Sequence, residues 1–504
     1  MTDVRPKLSR PATDDRPRYQ VAILGAGAGG LGTAIRLKRA RMHNFIIFEA
    51  SDGVGGTWRS NSYPGAACDV PSHLYSYSFE MKPDWTKTYA NQPEILAYFE
   101  HCADKYDLRR HLQTDTAIVS ATWMPDVCRW RLRSAAGEEC EATVLVSALG
   151  LFHEPNVPDI EGLASFCGAS FHSARWDHAY DVTGRRVAVI GTGASAAQIV
   201  PAIAPSVEQL TLFQRTPSWI LPRVDMVFSD EEKRRFATNK LAARRHRWEI
   251  YRSYERNISF RDGDAAADQL KALALSHLDY RIKDDALREK LTPTYPLGCK
   301  RTLVTSDFYK SLVRDPVDLV TEPIARVTPD GVMTTDGVEH RVDAIVWATG
   351  FRASDYLQGL DITGVDHRKL HDEWGDTPEA YLGMTVPGYP NFFMLYGPNT
   401  NQGGNSIIFI LEAQAAYIVR SLRAMRRHRT AAVDVKREVK DTYNRELQAA
   451  LSGTVWDTGC ESYFKAASGQ IVTQLPHPSL WYWRRTRRFR MSEYLKARRT
   501  TRTG

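Results

Sequence analysis

Two glycine-rich turns constrain what this chain can fold into. Gly25-Ala-Gly27-Ala-Gly-Gly30 follows the apolar run Gln20-Val-Ala-Ile-Leu24 and precedes Leu31, Ala34 and Ile35 at helical spacing. Gly191-Thr192-Gly193-Ala194-Ser195-Ala196 follows Arg186-Val-Ala-Val-Ile190 and leads into Ala197, Val200 and Ile203, then a further strand at Gln209-Leu-Thr-Leu-Phe213. In such a strand-turn-helix unit the first glycine permits the turn and the second admits a pyrophosphate against the backbone. The third lets the helix lie on the strand, with phosphate at the helix N-terminus. Two such units predict an α/β chain with two dinucleotide-binding, Rossmann-like domains.

The residues after each unit distinguish the nucleotides. The strand Phe45-Ile-Ile-Phe48 ends in Glu49, about 20 residues past the first turn, where an acid can grip ribose hydroxyls. The equivalent place in the second unit reads Gln214-Arg215-Thr216. A guanidinium with a hydroxyl suits a 2′-phosphate that an acid would repel, so NADPH is expected there.

Between the two units lies Phe166-Cys-Gly-Ala-Ser-Phe-His172-Ser-Ala-Arg-Trp176-Asp177. This pattern, Phe-x-Gly-x-x-x-His-x-x-x-Trp-Asp, resembles the fingerprint of type I Baeyer-Villiger monooxygenases, flavin enzymes that insert oxygen beside a ketone carbonyl. The resemblance implies FAD in the first unit, NADPH in the second, and a ketone with O2 as substrates. It also implies that Thr57, Trp58, Asp69 and Tyr75, in the loops Gly55-Gly-Thr-Trp58 and Tyr63 to Tyr75, touch FAD, with Ile118 near its adenine. Many family members carry Arg where this chain has Ala67. Cys299-Lys300-Arg301-Thr302 resembles the family's Lys-Arg pair, in which the lysine meets the 2′-phosphate and the arginine stands over the flavin. Pro390 to Gly404, with Asn399, looks like the strand and loop that return the chain to the flavin ring. Tyr463 stands where relatives place a tryptophan against the nicotinamide ribose.

In that chemistry a flavin peroxide must stay anionic to attack the carbonyl. An arginine remains protonated at any working pH and presents a planar fork, which makes Arg301 the catalytic candidate, with Asp69 holding it. His172 and Trp176 are expected to couple movement of the two domains instead. Three other readings share the nucleotide sites. A heteroatom-oxidising flavin monooxygenase would lack the Trp-Asp ending. A disulfide reductase needs a cysteine pair that is missing here. A non-catalytic NADP sensor would have no use for Lys300, Arg301 and Asp69.

The 504 residues suit roughly three domains at ~150 residues each. The expected order is a first FAD part at 1–150, a first NADP part at 151–223 and a helical insertion at 224–291. A second NADP part at 292–380 and a second FAD part at 381–504 follow. In the insertion, Ser229 is the start signal, Leu241, Trp248 and Tyr251 form the apolar set, and Arg234, Arg235, Arg244, Arg245 and Arg247 a solvated face. The stretch Trp481 to Arg490 interleaves aromatics with five arginines and is expected to be a surface strand or arm rather than a nucleic-acid or membrane patch. Seven cysteines form no C-x-x-C pair, and the odd count argues against a disulfide framework. With no apolar leader in residues 1–18 and no run near the ~18 apolar residues of a membrane span, a cytoplasmic protein is expected.

Overall fold

The computed structural model describes residues 16–256, 263–459 and 462–497. Its first sheet grows from the first glycine unit. β1 (Arg18–Leu24) feeds α1 (Ala28–Arg39), and β2 (Phe45–Phe48) returns parallel to β1. Val21 to Leu24 are each at most 2% exposed, as a strand covered on both faces requires. β3 (Leu112–Gln113) extends this edge in parallel. β4 (Ile118–Met124), β5 (Arg129–Ser134) and β6 (Glu139–Ser147) form an antiparallel meander on the other side, with β6 parallel to β1.

The chain comes back to this sheet twice. Asp361–Thr363 pairs with β4, and Phe392–Met394 pairs with β6 beyond the point where β5 leaves it. Ala353, Tyr356, Leu357 and Leu360 are already buried in the core beneath this sheet. The boundary expected at 380/381 therefore lies near 351, because the apolar residues that follow Gly350 pack on the first sheet and not on the second.

The second sheet is wholly parallel: β7 (Ala169–His172), β8 (Arg186–Ile190), β9 (Gln209–Phe213), β10 (Val317–Val320) and β11 (Ala344–Trp347) lie in the order β10-β9-β8-β11-β7. α2 (Ala196–Ile203) follows β8 as α1 follows β1. The segment expected as a helical insertion contains α3 (Asp230–Thr238), α4 (Lys240–Arg256) and α5 (Ala265–Arg281). Ser229 and Glu232 close a reciprocal capping box at the start of α3.

Three expectations fail, each through packing. Trp248 is 53% exposed beneath Arg252, and Leu241 is 75% exposed, so neither is core. The face of α4 that docks carries Ala243, His246 and Arg247 instead. Arg247 leaves the solvated set and donates from Nη1 to the carbonyls of His73 at 2.6 Å and Leu74 at 3.0 Å. The first half of the arginine-rich stretch belongs to a helix, α7 (Ser479–Thr486), lying on α6 (Ile407–Arg427), because Tyr482 is fully buried and donates to the Leu382 carbonyl. Only afterwards does a strand form, Tyr494–Ala497 against Ala432–Val435. Cys299 is disulfide-bonded, while Cys68, Cys102, Cys140 and Cys167 are free. No helix among the described residues is long and apolar enough to cross a membrane, and residues 1–15, which hold most of the segment searched for a leader, lie outside them.

Candidate active site

One cavity of about 1470 Å3 runs between the two sheets and reaches both glycine turns. That exceeds the ~300–1,000 Å3 of an ordinary ligand pocket. At its first end Gly25 has φ +102°, and a Cβ there would stand 2.7 Å from the Ala148 carbonyl oxygen. Gly27 meets Gly56, where a Cβ would come within 2.9 Å of the Gly27 Cα. Gly30 is buried, and its Cβ would fall 1.9 Å from the Gly25 oxygen, so helix and turn touch backbone to backbone. Glu49 is tied down by the turn: Oε2 accepts from Ala26 N at 2.6 Å, and Oε1 accepts from Ser51 N at 2.9 Å. Trp58 Nε1 donates to Tyr75 Oη at 3.0 Å, and the two rings make an edge contact in the wall. Burial of Tyr75 pushes its phenol well above the usual range.

The second end repeats the first. Gly191 has φ +109°, and a Cβ would stand 2.6 Å from the Ala348 oxygen. Thr192 Oγ1 donates to the Thr216 carbonyl at 2.9 Å, and Ser218 Oγ donates to the Thr192 carbonyl at 2.8 Å, which joins the turn to the segment carrying Arg215. Thr192, Gly193, Ala194, Ser195, Arg215, Thr216 and Lys300 all line the cavity. These backbone cradles, with side chains excluded where a pyrophosphate would lie and cations near the second, fit two dinucleotides.

Arg301 stands where the ends meet. Its Nη2 lies 2.5 Å from Asp69 Oδ2, and its side chain remains 37% exposed to the cavity. Asp69 chiefly, and then Tyr463, raise the guanidinium pKa further against the opposing effect of burial, so the charge is permanent. Tyr396 donates to Asn401 Oδ1 at 2.6 Å and lines the same space.

No residue of the join from Phe166 to Asp177 lines the cavity; the join reaches it through His172, which touches the lining residues Gly350 and Phe351. Gly168 has no room for a Cβ, which would lie 2.4 Å from the Asp343 oxygen and 2.6 Å from the Phe166 ring. Ala174 N donates to His172 Nδ1 at 3.1 Å, which leaves Nε2 to donate to the Gly350 carbonyl at 3.0 Å. Burial lowers the pKa of this ring. His172 contacts Phe351, Phe351 contacts Phe152, and Phe152 contacts Tyr463, with centroids 5.6, 5.6 and 6.4 Å apart.

The flavin-binding monooxygenase-like family matches residues 18–359. A Baeyer-Villiger monooxygenase of Pseudomonas aeruginosa is 44% identical over 478 residues, covering 94% of this chain and 91% of the relative. The chain belongs to the Baeyer-Villiger branch of the flavin-binding monooxygenases. Among solved structures, an oxidised steroid monooxygenase bound to NADP superposes with a TM-score of 0.86 at 31% identity, covering 95% of this chain and 99% of that one. A closed cyclohexanone monooxygenase gives 0.85 at 28%, covering 96% and 100%. Family membership makes the chain an enzyme and removes the sensor reading.

In this monooxygenase the cavity brings together Gly25, Gly27, Glu49, Thr57, Trp58, Asp69, Tyr75, Ile118, Lys300, Arg301 and Tyr463 with the second cradle. Four expected residues stand outside the lining. Gly30, Ala196 and Ala197 are buried where helix meets sheet, and Asn399 is 2% exposed with Nδ2 donating to the Ile471 and Gln474 carbonyls. Asn399 organises the loop, and its neighbours Asn401, Gln402 and Asn405 reach the cavity. Cys460 and Glu461, ahead of Tyr463, lie outside the described residues. Sequence reasoning missed Gln198, which accepts from Tyr63 Oη at 3.0 Å and donates to the Ala67 carbonyl at 2.9 Å, pinning the loop before Asp69 to α2. Its one sequence signal is a glutamine inside the apolar run Ala196-Ala-Gln-Ile-Val200.

Proposed function

We propose that this monooxygenase inserts one atom of O2 beside the carbonyl of a ketone, giving an ester or lactone, with FAD in the first cradle and NADPH in the second. The observation that carries this reading is the Arg301–Asp69 pair, set where a cavity reaches both cradles. FAD reduced by NADPH supplies activated oxygen. Asp69 takes one edge of the Arg301 guanidinium and so orients it, and the remaining N–H groups are left to face a carbonyl oxygen as negative charge grows on it. A fixed cation in a partly enclosed site stabilises that charge without reorganising, where a mobile one would have to move first. Arg215 and Lys300 would take the 2′-phosphate, and Glu49, already held by Ala26 N, keeps lone pairs for a ribose. His172 would pass closure of the second domain through Phe351 and Phe152 to Tyr463 beside Arg301.

The experiment supplies NADPH, 18O2 and a panel of linear, cyclic and aryl ketones alongside amines and sulfides, read by mass spectrometry. Esters carrying one labelled atom are expected. Efficient amine or sulfide turnover with no labelled ester from any ketone would instead assign heteroatom oxidation.

A further inference from the structure

Away from the large cavity, a second, open hollow of about 270 Å3 lies between α1 and α6. Four arginines line it, Arg36 and Arg39 from α1 and Arg420 and Arg423 from α6, around Phe79 and Val419. The spacing explains the convergence: 36 and 39 share one face of α1, while 416, 419, 420 and 423 share one face of α6. Arg36 and Arg39 both lie over the Phe79 ring, at 5.4 and 5.1 Å.

The carboxylate that pairs with this cluster is already occupied. Glu412 accepts from Arg36 Nη2 at 2.9 Å, from Ser78 N at 2.6 Å and from Ser78 Oγ at 2.6 Å. Among the described residues, Arg39, Arg420 and Arg423 pair with no carboxylate, and Arg36 Nε is buried without a hydrogen-bond partner. The local sequence offers no relief, since 413–433 and 462–492 contain no Asp or Glu. Burial first, and then Arg36, Arg423 and Arg487, lower the pKa of Arg420, as crowded like charge requires.

Two plainer explanations fall short. Cations at a helix C-terminus answer its dipole, which accounts for Arg36 and Arg39 in the last turn of α1. Arg420 and Arg423 precede the last residues of α6 by one to two turns, beyond where that effect is strong. A solvated charged face accounts for the exposure of Arg39 and Arg423 but not for four guanidiniums bordering one hollow with an aromatic floor.

We propose that this hollow is an anion site for a small phosphate-bearing ligand, of the charge and size of pyrophosphate. Guanidinium forks match phosphate oxygens two at a time, and an anion of two or more charges relieves the repulsion that the protein leaves uncompensated. The volume lies below the ~300 Å3 at which drug-sized pockets begin, so a compact ligand fits and a peptide does not.

The test uses the flavin-loaded enzyme saturated with NADP+, so that the large cavity is filled, titrated calorimetrically with inorganic pyrophosphate at constant ionic strength set by chloride. Saturable binding is expected. Arg39→Gln and Arg423→Gln, both at exposed positions, each weaken it about tenfold or more, the loss of one charge-assisted contact. Arg39→Lys keeps the charge but not the fork and falls between. Retained flavin absorbance and unchanged ketone turnover certify that the variants are folded. Phosphatidic acid vesicles, whose phosphomonoester can carry two charges, form the second arm. Vesicle binding that pyrophosphate displaces and both variants weaken assigns a lipid headgroup, and no vesicle binding assigns a free phosphate. Affinity for pyrophosphate equal in wild type and both Gln variants, or no saturation beyond the chloride control, overturns the proposal.

Discussion

Gly25 and Gly191 make the same turn, at φ +102° and +109°, against the same kind of neighbour, the carbonyl of Ala148 or Ala348 at the end of the adjoining strand. Beyond the turn the two cradles part. The first is covered, since Gly27 faces Gly56 backbone to backbone and Glu49 is bonded across the turn to Ala26. The second is open, since a Cβ on Gly193 would meet nothing within 4 Å. Chain folded over a ligand must open to release it, so the covered cradle suits a resident flavin and the open one a nicotinamide nucleotide that comes and goes each turnover. The difference arises outside the motifs, in the loop Gly55–Trp58.

The largest test falls where the cradles meet. Arg301→Ala should lower ester formation about 100- to 1,000-fold, the loss of one preorganised charge-stabilising group. FAD stays bound, NADPH is still consumed, and hydrogen peroxide is released in place of product, assayed with a peroxidase-coupled dye. Arg301→Lys should restore little, because a point charge cannot copy the fork. Normal ester yield from the Ala variant would remove Arg301 from the chemistry.

Arg215→Ala should act on the open cradle alone. Losing a charge-assisted contact of ~1.5–3 kcal/mol lowers the preference for NADPH over NADH roughly 10- to 150-fold, seen as a higher KM for NADPH with NADH use unchanged. Equal losses with both nucleotides would mean that Arg215 serves folding.

A matched pair sharpens the contrast between cover and opening. Gly30→Ala forces a Cβ onto the Gly25 oxygen and should destabilise by about 1–3 kcal/mol, with flavin lost on gel filtration. Gly193→Ala has space and should keep both Tm and flavin, moving only the KM for NADPH. The same flavin loss from both would show the two cradles to be equally enclosed.

The smallest effect concerns the helices docked on the covered side. His73 packs among Phe228, Phe236 and His246, and burial first, then His246, Arg247 and Lys82, push its pKa down to about 3, with Glu232 opposing. A depressed histidine contributes fully above its unfolded pKa of about 6.5, and that contribution is lost as pH falls from there towards 3. Lowering the pH from 6.5 to 5 should therefore cost about 2 kcal/mol, and His73→Phe should flatten this part of the stability profile in urea melts.

Both turns, their strands and helices, the acid at Glu49 and the cation at Arg215 were legible in the sequence because each depends on neighbours within a few tens of residues. The strand-turn-helix pattern is local, and backbone sterics at Gly25 and Gly191 leave little choice. The Phe166 to Asp177 pattern was equally legible as a family mark, although its mechanical basis was not: Gly168 is required by the Asp343 carbonyl, and His172 by the Gly350 carbonyl. Burial at longer range was decided by the tertiary structure. Leu241 and Trp248 look like core and are exposed, while Arg247 looks solvated and is an anchor, because the partner of α4 is the loop at His73 and Leu74, which no spacing within α4 encodes. Likewise Trp481 to Arg490 has the composition of a surface arm, yet the seat that α6 and the Leu382 carbonyl provide for Tyr482 makes its first half a helix. Periodicity records which residues share a face. Only the assembled fold determines what that face meets, and so whether a guanidinium ends in water, on a carbonyl or among other guanidiniums.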